Sequence, residues 1–190
     1  MAYVVDISGS LVDSSSDVMN WLGEAMDQLR QPAYFTILFF RNHQIIKVPP
    51  QGLKRNTFRA KARIFNWIQL NQRHIKPMGQ SDIGGAIQAA RHHDVDAVYI
   101  VSDDGLGIGP AWENGPEKIR QLTNMVGPYP LHIHTVQFYY RDPVGALEAI
   151  ANRFDGSYTF IEPSVHGPRF VIDLYGDMSH IKQPMAQRDW

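Results

Sequence analysis

The apolar run Ala2-Tyr3-Val4-Val5 ends in Asp6, and serines follow at alternate positions, Ser8 and Ser10. This segment constrains the fold more than any other. In a parallel α/β sheet the chain leaves each strand at its carboxyl end, where ligand sites gather. Residues i, i+2 and i+4 of an extended stretch point the same way, so Asp6, Ser8 and Ser10 can converge on one point. Gly9 lets the backbone turn closely around it. One carboxylate and two hydroxyls are hard oxygen donors, a set that suits Mg²⁺ or Mn²⁺. The same residues also read as a plain strand-end turn, with Ser10 or a later residue capping the next helix.

Two further segments share this character. In Pro77-Met-Gly79-Gln-Ser81-Asp82-Ile83 a glycine turn presents a hydroxyl just before a helix of small and apolar residues. Its ordinary reading is a helix N-cap at Ser81 or Asp82. Ala97-Val-Tyr-Ile-Val-Ser102 is a second buried-strand pattern, and it runs into Asp103-Asp104-Gly105. Its ordinary reading is an Asp-Gly turn. Three such boundaries in this order are much harder to assign to chance than any one of them.

Together these residues resemble the von Willebrand factor type A family with its metal-ion-dependent adhesion site. That family's pattern is Asp-x-Ser-x-Ser, then a Thr in a Gly-Gly-Thr-Asp-like turn, then an Asp in a Thr-Asp-Gly-like turn. Asp6, Ser8 and Ser10 match the first element in full. Gly79-Gln80-Ser81-Asp82 matches the second, with Ser81 for threonine and Gln80 for the second glycine. Ser102-Asp103-Asp104-Gly105 matches the third, with Asp103 as the metal-facing carboxylate. The resemblance covers about residues 2 to 163. It extends to the hairpin-like Tyr34–Val48 and to the last helix, Gly156 turn and final strand. The methyl missing at Ser81 keeps the ligand but loosens its rotamer, which predicts weaker metal binding than the family norm.

A chain of 190 residues suits one well-buried domain. With 18 basic and 19 acidic residues, net charge −1, it carries no electrostatic footprint for nucleic acid or an acidic membrane surface. No cysteine is present, which removes disulfides, thiolate metal sites and a cysteine nucleophile. No apolar run reaches the roughly 18 residues that a membrane helix requires. The first strand has almost no lead-in. We therefore expect a domain cut from a longer chain, with Met1 supplied for expression and any targeting signal elsewhere.

Strand and helix alternate along the chain, the pattern of an α/β sheet. Strands are expected at about 2–6, 33–40, 44–48, 96–102, 131–137 and 157–161. The cluster Ser14–Asp17 is expected to cap a helix whose buried stripe is Val18, Trp21, Leu22, Ala25, Met26 and Leu29. A second helix from Asn56-Thr57 is expected to bury Phe58, Ala62, Phe65 and Ile68. Trp21, Phe65 and Trp67 read as core or half-core. Helices at about 82–92, 116–126 and 143–154 follow, the last burying Val144, Leu147, Ile150, Ala151 and Phe154. Residues 1–163 form the expected domain. Residues 164–190 are a C-terminal extension with one β-like stretch, Arg169–Tyr175.

Right-handed crossovers and the resemblance imply a doubly wound, mostly parallel six-stranded sheet of order 3-2-1-4-5-6. One edge strand is antiparallel, and helices flank both faces. Strands one and four then lie side by side, which brings Asp6, Ser8, Ser10, Ser81 and Asp103 to one end. The resemblance implies that the serines ligate Mg²⁺ (or Mn²⁺ or Ca²⁺) directly or through one water, while the aspartates act mostly through water. It also implies a protein partner whose Asp or Glu side chain completes the shell. Loops 11–16, 77–82, 104–115 and 139–144 would set its identity, with Trp112, Tyr139, Tyr140 and Arg141 as contacts. No direct membrane insertion by this segment is expected.

No catalysis is expected. Ser8-Gly9-Ser10 lacks the Gly-x-Ser-x-Gly elbow. An aspartyl-phosphate enzyme centred on Asp6 would need a second carboxylate where Ser8 stands. A scaffolding domain of a larger, ATPase-associated assembly is the main alternative to metal-dependent capture. His132-x-His134 lacks a third zinc ligand and reads as structural. His92-His93 reads as cations at a helix end.

Overall fold

Alternate residues of β1 (Ala2–Asp6) enter different cores. Tyr3 and Val5 point to one face of the sheet, Ala2 and Val4 to the other, and all four are buried. A strand covered on both faces has no use for polar alternation, which is why this segment is continuously apolar. β2 (Tyr34–Arg41) behaves in the same way: Phe35, Ile37 and Phe39 join the first core, Leu38 and Phe40 the second. The computed structural model describes residues 1–103, 115–126, 130–141 and 145–163.

β2 runs parallel to β1, and β3 (Gln44–Lys47) returns antiparallel at the edge. Asn42 and His43 form the tight turn between them, Asn42 with φ +47°. A two-residue strand, β4 (Lys54–Arg55), also pairs with the start of β2. On the other side of β1 lie β5 (Ala97–Ser102), β6 (His132–Phe138) and β7 (Tyr158–Ile161), all parallel. The order is β3-β2-β1-β5-β6-β7. This is the expected doubly wound order, with β4 as a seventh strand beside it. Two residues are too short for any periodicity, so β4 has no sequence signature.

Helices cover both faces. α1 (Ser15–Gln28) buries Val18, Met19, Leu22 and Met26 in the first core. Trp21, Ala25 and Leu29 pack at its margin, as does Trp67. Tyr3 sits within an aromatic cluster, its ring 5.4 Å from Tyr99, 6.1 Å from Trp21 and 6.4 Å from Phe35. The Ser14 side chain makes no capping bond; Ser15 Oγ instead donates back to Val12 O.

In α2 (Phe58–Leu70) the buried positions are Ile64 and Ile68, with Phe65 half-buried. The expected Phe58 and Ala62 are exposed, Phe58 by 85%. The helix starts where expected, with the Thr57 side chain capping it at Ala60 N. Of the expected stripe Ile68 and, in part, Phe65 face the first core, while Ile64 is buried in place of Phe58 and Ala62.

The second core takes Ile83, Ala86, Ile87 and Ala90 from α3 (Ile83–Arg91). Val126 of α4 (Gly115–Val126) and Leu147, Ile150 and Phe154 at α5 (Ala146–Arg153) complete it. After α5, a Cβ on Gly156 would lie 1.8 Å from Ile133 O, so only glycine lets the chain pass so close to β6. The expectations for Asp104, Trp112, Val144 and 164–190 fall outside the described residues.

Candidate metal centre

Asp6 ends β1 one step beyond the paired Val5 and Val101, so it lies beside Ser102 at the end of β5. Its carboxylate is buried and held at both oxygens. Oδ1 accepts from Ser8 N at 2.7 Å, and Oδ2 accepts from Ser102 Oγ at 2.7 Å. Burial pushes the Asp6 pKa up, opposed by the hydroxyls of Ser81 and Ser102 and by Ser8.

The neighbouring polar groups form a chain. Ser8 Oγ lies 3.1 Å from Ser10 Oγ, and Ser10 Oγ donates to Asp103 Oδ1 at 2.9 Å. Asp103 is nearly buried, and its carbonyl accepts from Gln137 Nε2 at 3.3 Å. Gln137 is itself oriented by Tyr158 Oη, which donates to its Oε1, and by Tyr140 O, to which it donates. Asp6, Ser8, Ser10 and Asp103 are thus linked through hydrogen bonds at adjoining strand ends.

Ser81 arrives on the loop between α2 and α3. Its loop is pinned by Met78 N to Ile7 O and by Gly9 N to Gly79 O, both at 3.0 Å. Gln80 N donates to Asn42 Oδ1 at 2.8 Å, so the β2–β3 turn also holds this loop. Gly79 has φ +75°, and a Cβ there would lie 2.5 Å from the Asn42 amide. Asp82, not Ser81, caps α3, accepting from Gly85 N at 3.0 Å. The Ser81 hydroxyl is thereby left for the centre. It is close enough to act on the Asp6 carboxylate, but its geometry completes no hydrogen bond, and the oxygen is shielded from solvent.

This donor set fits a hard divalent cation. A buried hydroxyl without a partner carries a desolvation cost that a cation would relieve. Two carboxylates and three hydroxyls are all oxygen ligands, the preference of Mg²⁺ and Ca²⁺. No group of three or more His, Asp or Glu side chains comes together among the described residues. His132 Nδ1 lies 3.2 Å from Asp155 O. His134 stacks on Tyr99 at 4.5 Å, and its Nδ1 accepts from Ser157 N. Both are tied to local structure. Burial, together with nearby Lys47 and Lys54, pushes the His93 pKa down, which works against the expected cation at this helix end.

Three contributors escaped the sequence reading: Ser102, Asn42 and Gln137. Ser102 left a usable sign, a hydroxyl closing an apolar strand in register with Asp6. Asn42 and Gln137 left none, since their roles depend on which loops the fold brings together.

The expected contact residues divide. Tyr139 is half-buried and donates to Asp17 Oδ2 at 2.7 Å, so it braces α1. Arg141 lies 4.1 Å over the Phe160 ring. Tyr140 is free to face solvent.

No known family profile matches the chain, and no curated protein matches it in sequence. Solved structures do match. A von Willebrand factor type A protein from Catenulispora acidiphila superposes with a TM-score of 0.63 at 14% identity, over 85% of this chain and 38% of that one. The SpRpn10 VWA domain gives 0.58 at 11% identity, over 86% and 88%. The human COPII-coat protein Sec24c gives 0.59 at 10%, over 86% and 29%. The fold is that of a von Willebrand factor type A domain. The chain spans less than half the length of the Catenulispora and Sec24c chains.

Proposed function

We propose that this chain is a von Willebrand type A interaction module that captures an acidic side chain of a protein partner through a divalent cation. The observation that carries this reading is the buried, unpartnered Ser81 hydroxyl facing Asp6, within a cluster completed by Ser8, Ser10 and Asp103. Ser8, Ser10 and Ser81 are neutral donors, so a cation they hold keeps most of its charge. Mg²⁺, when bound, supplies a Lewis-acidic centre for the partner's carboxylate. The role is binding without turnover, since Ser8 stands where an aspartyl-phosphate enzyme would need its second carboxylate. Among the described residues no helix is long and apolar enough to cross a membrane.

The scaffolding alternative has its own support. Ser8, Ser10 and Asp103 already satisfy one another, so the loop holds its shape without a cation. Recovery of partners from a source lysate separates the two readings. Wild type and Ser8→Ala are compared with Mg²⁺ and with EDTA. Metal capture predicts a partner seen only with wild type in Mg²⁺. Equal recovery in all four conditions rejects it in favour of the scaffold.

A further inference from the structure

Gln137 is the anomaly of β6. Alternation puts it on the second-core side with Ile133, while Val136 and Phe138 face the first core. Such a position, in a strand covered on both faces, ordinarily carries an apolar residue. Gln137 is instead a buried amide, 1% exposed. Its Nε2 donates to Asp103 O at 3.3 Å and to Tyr140 O at 2.6 Å, and its Oε1 accepts from Tyr158 Oη at 2.8 Å. Both amide hydrogens and the carbonyl are thus engaged, which leaves the group a single orientation.

The β5–β6 ladder ends with Ser102 opposite Gln137. Asp103 lies one step past that last rung, so the Gln137 side chain takes over where backbone pairing stops. The bond holds the backbone of the residue whose carboxylate accepts from Ser10 Oγ at 2.9 Å. Tyr158, opposite Thr135 on β7, supplies the anchor. A line of hydrogen bonds therefore runs from β7 across β6 into the oxygen cluster.

We propose that Gln137, locked by Tyr158, is a positioning residue of the centre that makes it discriminate against Ca²⁺. The inference rests on the metal-capture reading and adds what enforces the choice between ions. Mg²⁺ demands a near-octahedral shell at about 2.1 Å, whereas Ca²⁺ takes a looser one at about 2.4 Å. A carboxylate on a backbone free to shift serves both ions. One on a fixed backbone cannot open to the wider shell. Groups behind a ligand tune metal binding in this way.

Calorimetry with Mg²⁺ and with Ca²⁺ tests this on wild type, Gln137→Met and Tyr158→Phe, with urea unfolding in EDTA to confirm that each is folded. Wild type should bind Mg²⁺ more tightly than Ca²⁺. Gln137→Met keeps the side-chain length and loses both donors. Tyr158→Phe keeps Gln137 and the ring, and only unlocks the amide. Both should weaken Mg²⁺ binding, Gln137→Met by about tenfold. Ca²⁺ binding should weaken less, so the ratio of the two affinities narrows. Tyr158→Phe decides the matter if Gln137→Met fails to fold. A ratio that does not narrow in a folded variant, whether the affinities hold or fall together, reduces Gln137 to structural support and overturns the inference while metal capture stands. Equal or tighter Ca²⁺ binding by wild type overturns it too. Wild type that binds neither ion overturns the metal-capture reading and the inference with it.

Discussion

Ser102 donates from its buried hydroxyl to Oδ2 of Asp6 at 2.7 Å, joining the ends of two adjacent parallel strands. The bond fixes the carboxylate from below while Ser8 N holds its other oxygen. The direction in which Asp6 presents itself is thus set by the neighbouring strand end and by the first turn of its own loop.

Ser102→Ala should therefore destabilise the fold. It leaves a buried carboxylate oxygen without its donor, at a cost of about 1–3 kcal/mol. Urea unfolding checks this, and an unchanged midpoint would show that water replaces the hydroxyl.

Ser81→Ala should behave in the opposite way. Its oxygen is buried and completes no hydrogen bond, so its desolvation cost offsets its attraction to Asp6, and removing it should change the metal-free protein by no more than about 1 kcal/mol. Mg²⁺ should stabilise the wild type by about 2.7 kcal/mol at a hundredfold excess over its dissociation constant, and the variant far less. Melting curves with Mg²⁺ and with EDTA measure both effects. A wild type indifferent to Mg²⁺ would reject the proposed centre.

Much of this centre was legible beforehand. Strand ends announce themselves where an apolar run stops, so Asp6 and Asp103 could be placed without coordinates. Helix α1 was legible because its stripe is long and regular. Helix α2 was legible in its start at Thr57 and in Phe65 and Ile68, but not in Ile64, since Phe58 and Ala62 fit the same spacing and are exposed. Likewise, the Ser81 loop showed its turn chemistry but not its anchors, because Asn42 meets it only after the hairpin folds back.

Gly79→Ala should test that anchoring. The added methyl meets the Asn42 amide, and φ +75° disfavours any L side chain. Strain of about 1–2 kcal/mol is expected in thermal unfolding, with a smaller Mg²⁺ stabilisation because the Ser81 loop shifts. Asn42→Gly should weaken the Mg²⁺ effect in the same sense without backbone strain, because glycine accepts the φ of +47° at this position. If both variants respond to Mg²⁺ like the wild type, the hairpin does not position the centre.

Lys54 offers a pH-dependent prediction remote from the centre. It lies on β4, nearly buried, with Nζ 3.3 Å from Gly52 O, and burial lowers its pKa from 10.5 to about 8. Between those values the unfolded chain binds more protons than the folded one. Stability contributed by this residue therefore rises as pH climbs from about 8 to 10.5, and is flat below about 8. Lys54→Met removes the buried ammonium and should raise stability near pH 7 by about 1 kcal/mol. Its advantage over the wild type should then fade across that same alkaline window. The difference between the two stability curves is what reports on Lys54. Parallel curves from pH 7 to 10.5 would mean that the ammonium reaches solvent and that burial does not govern its proton.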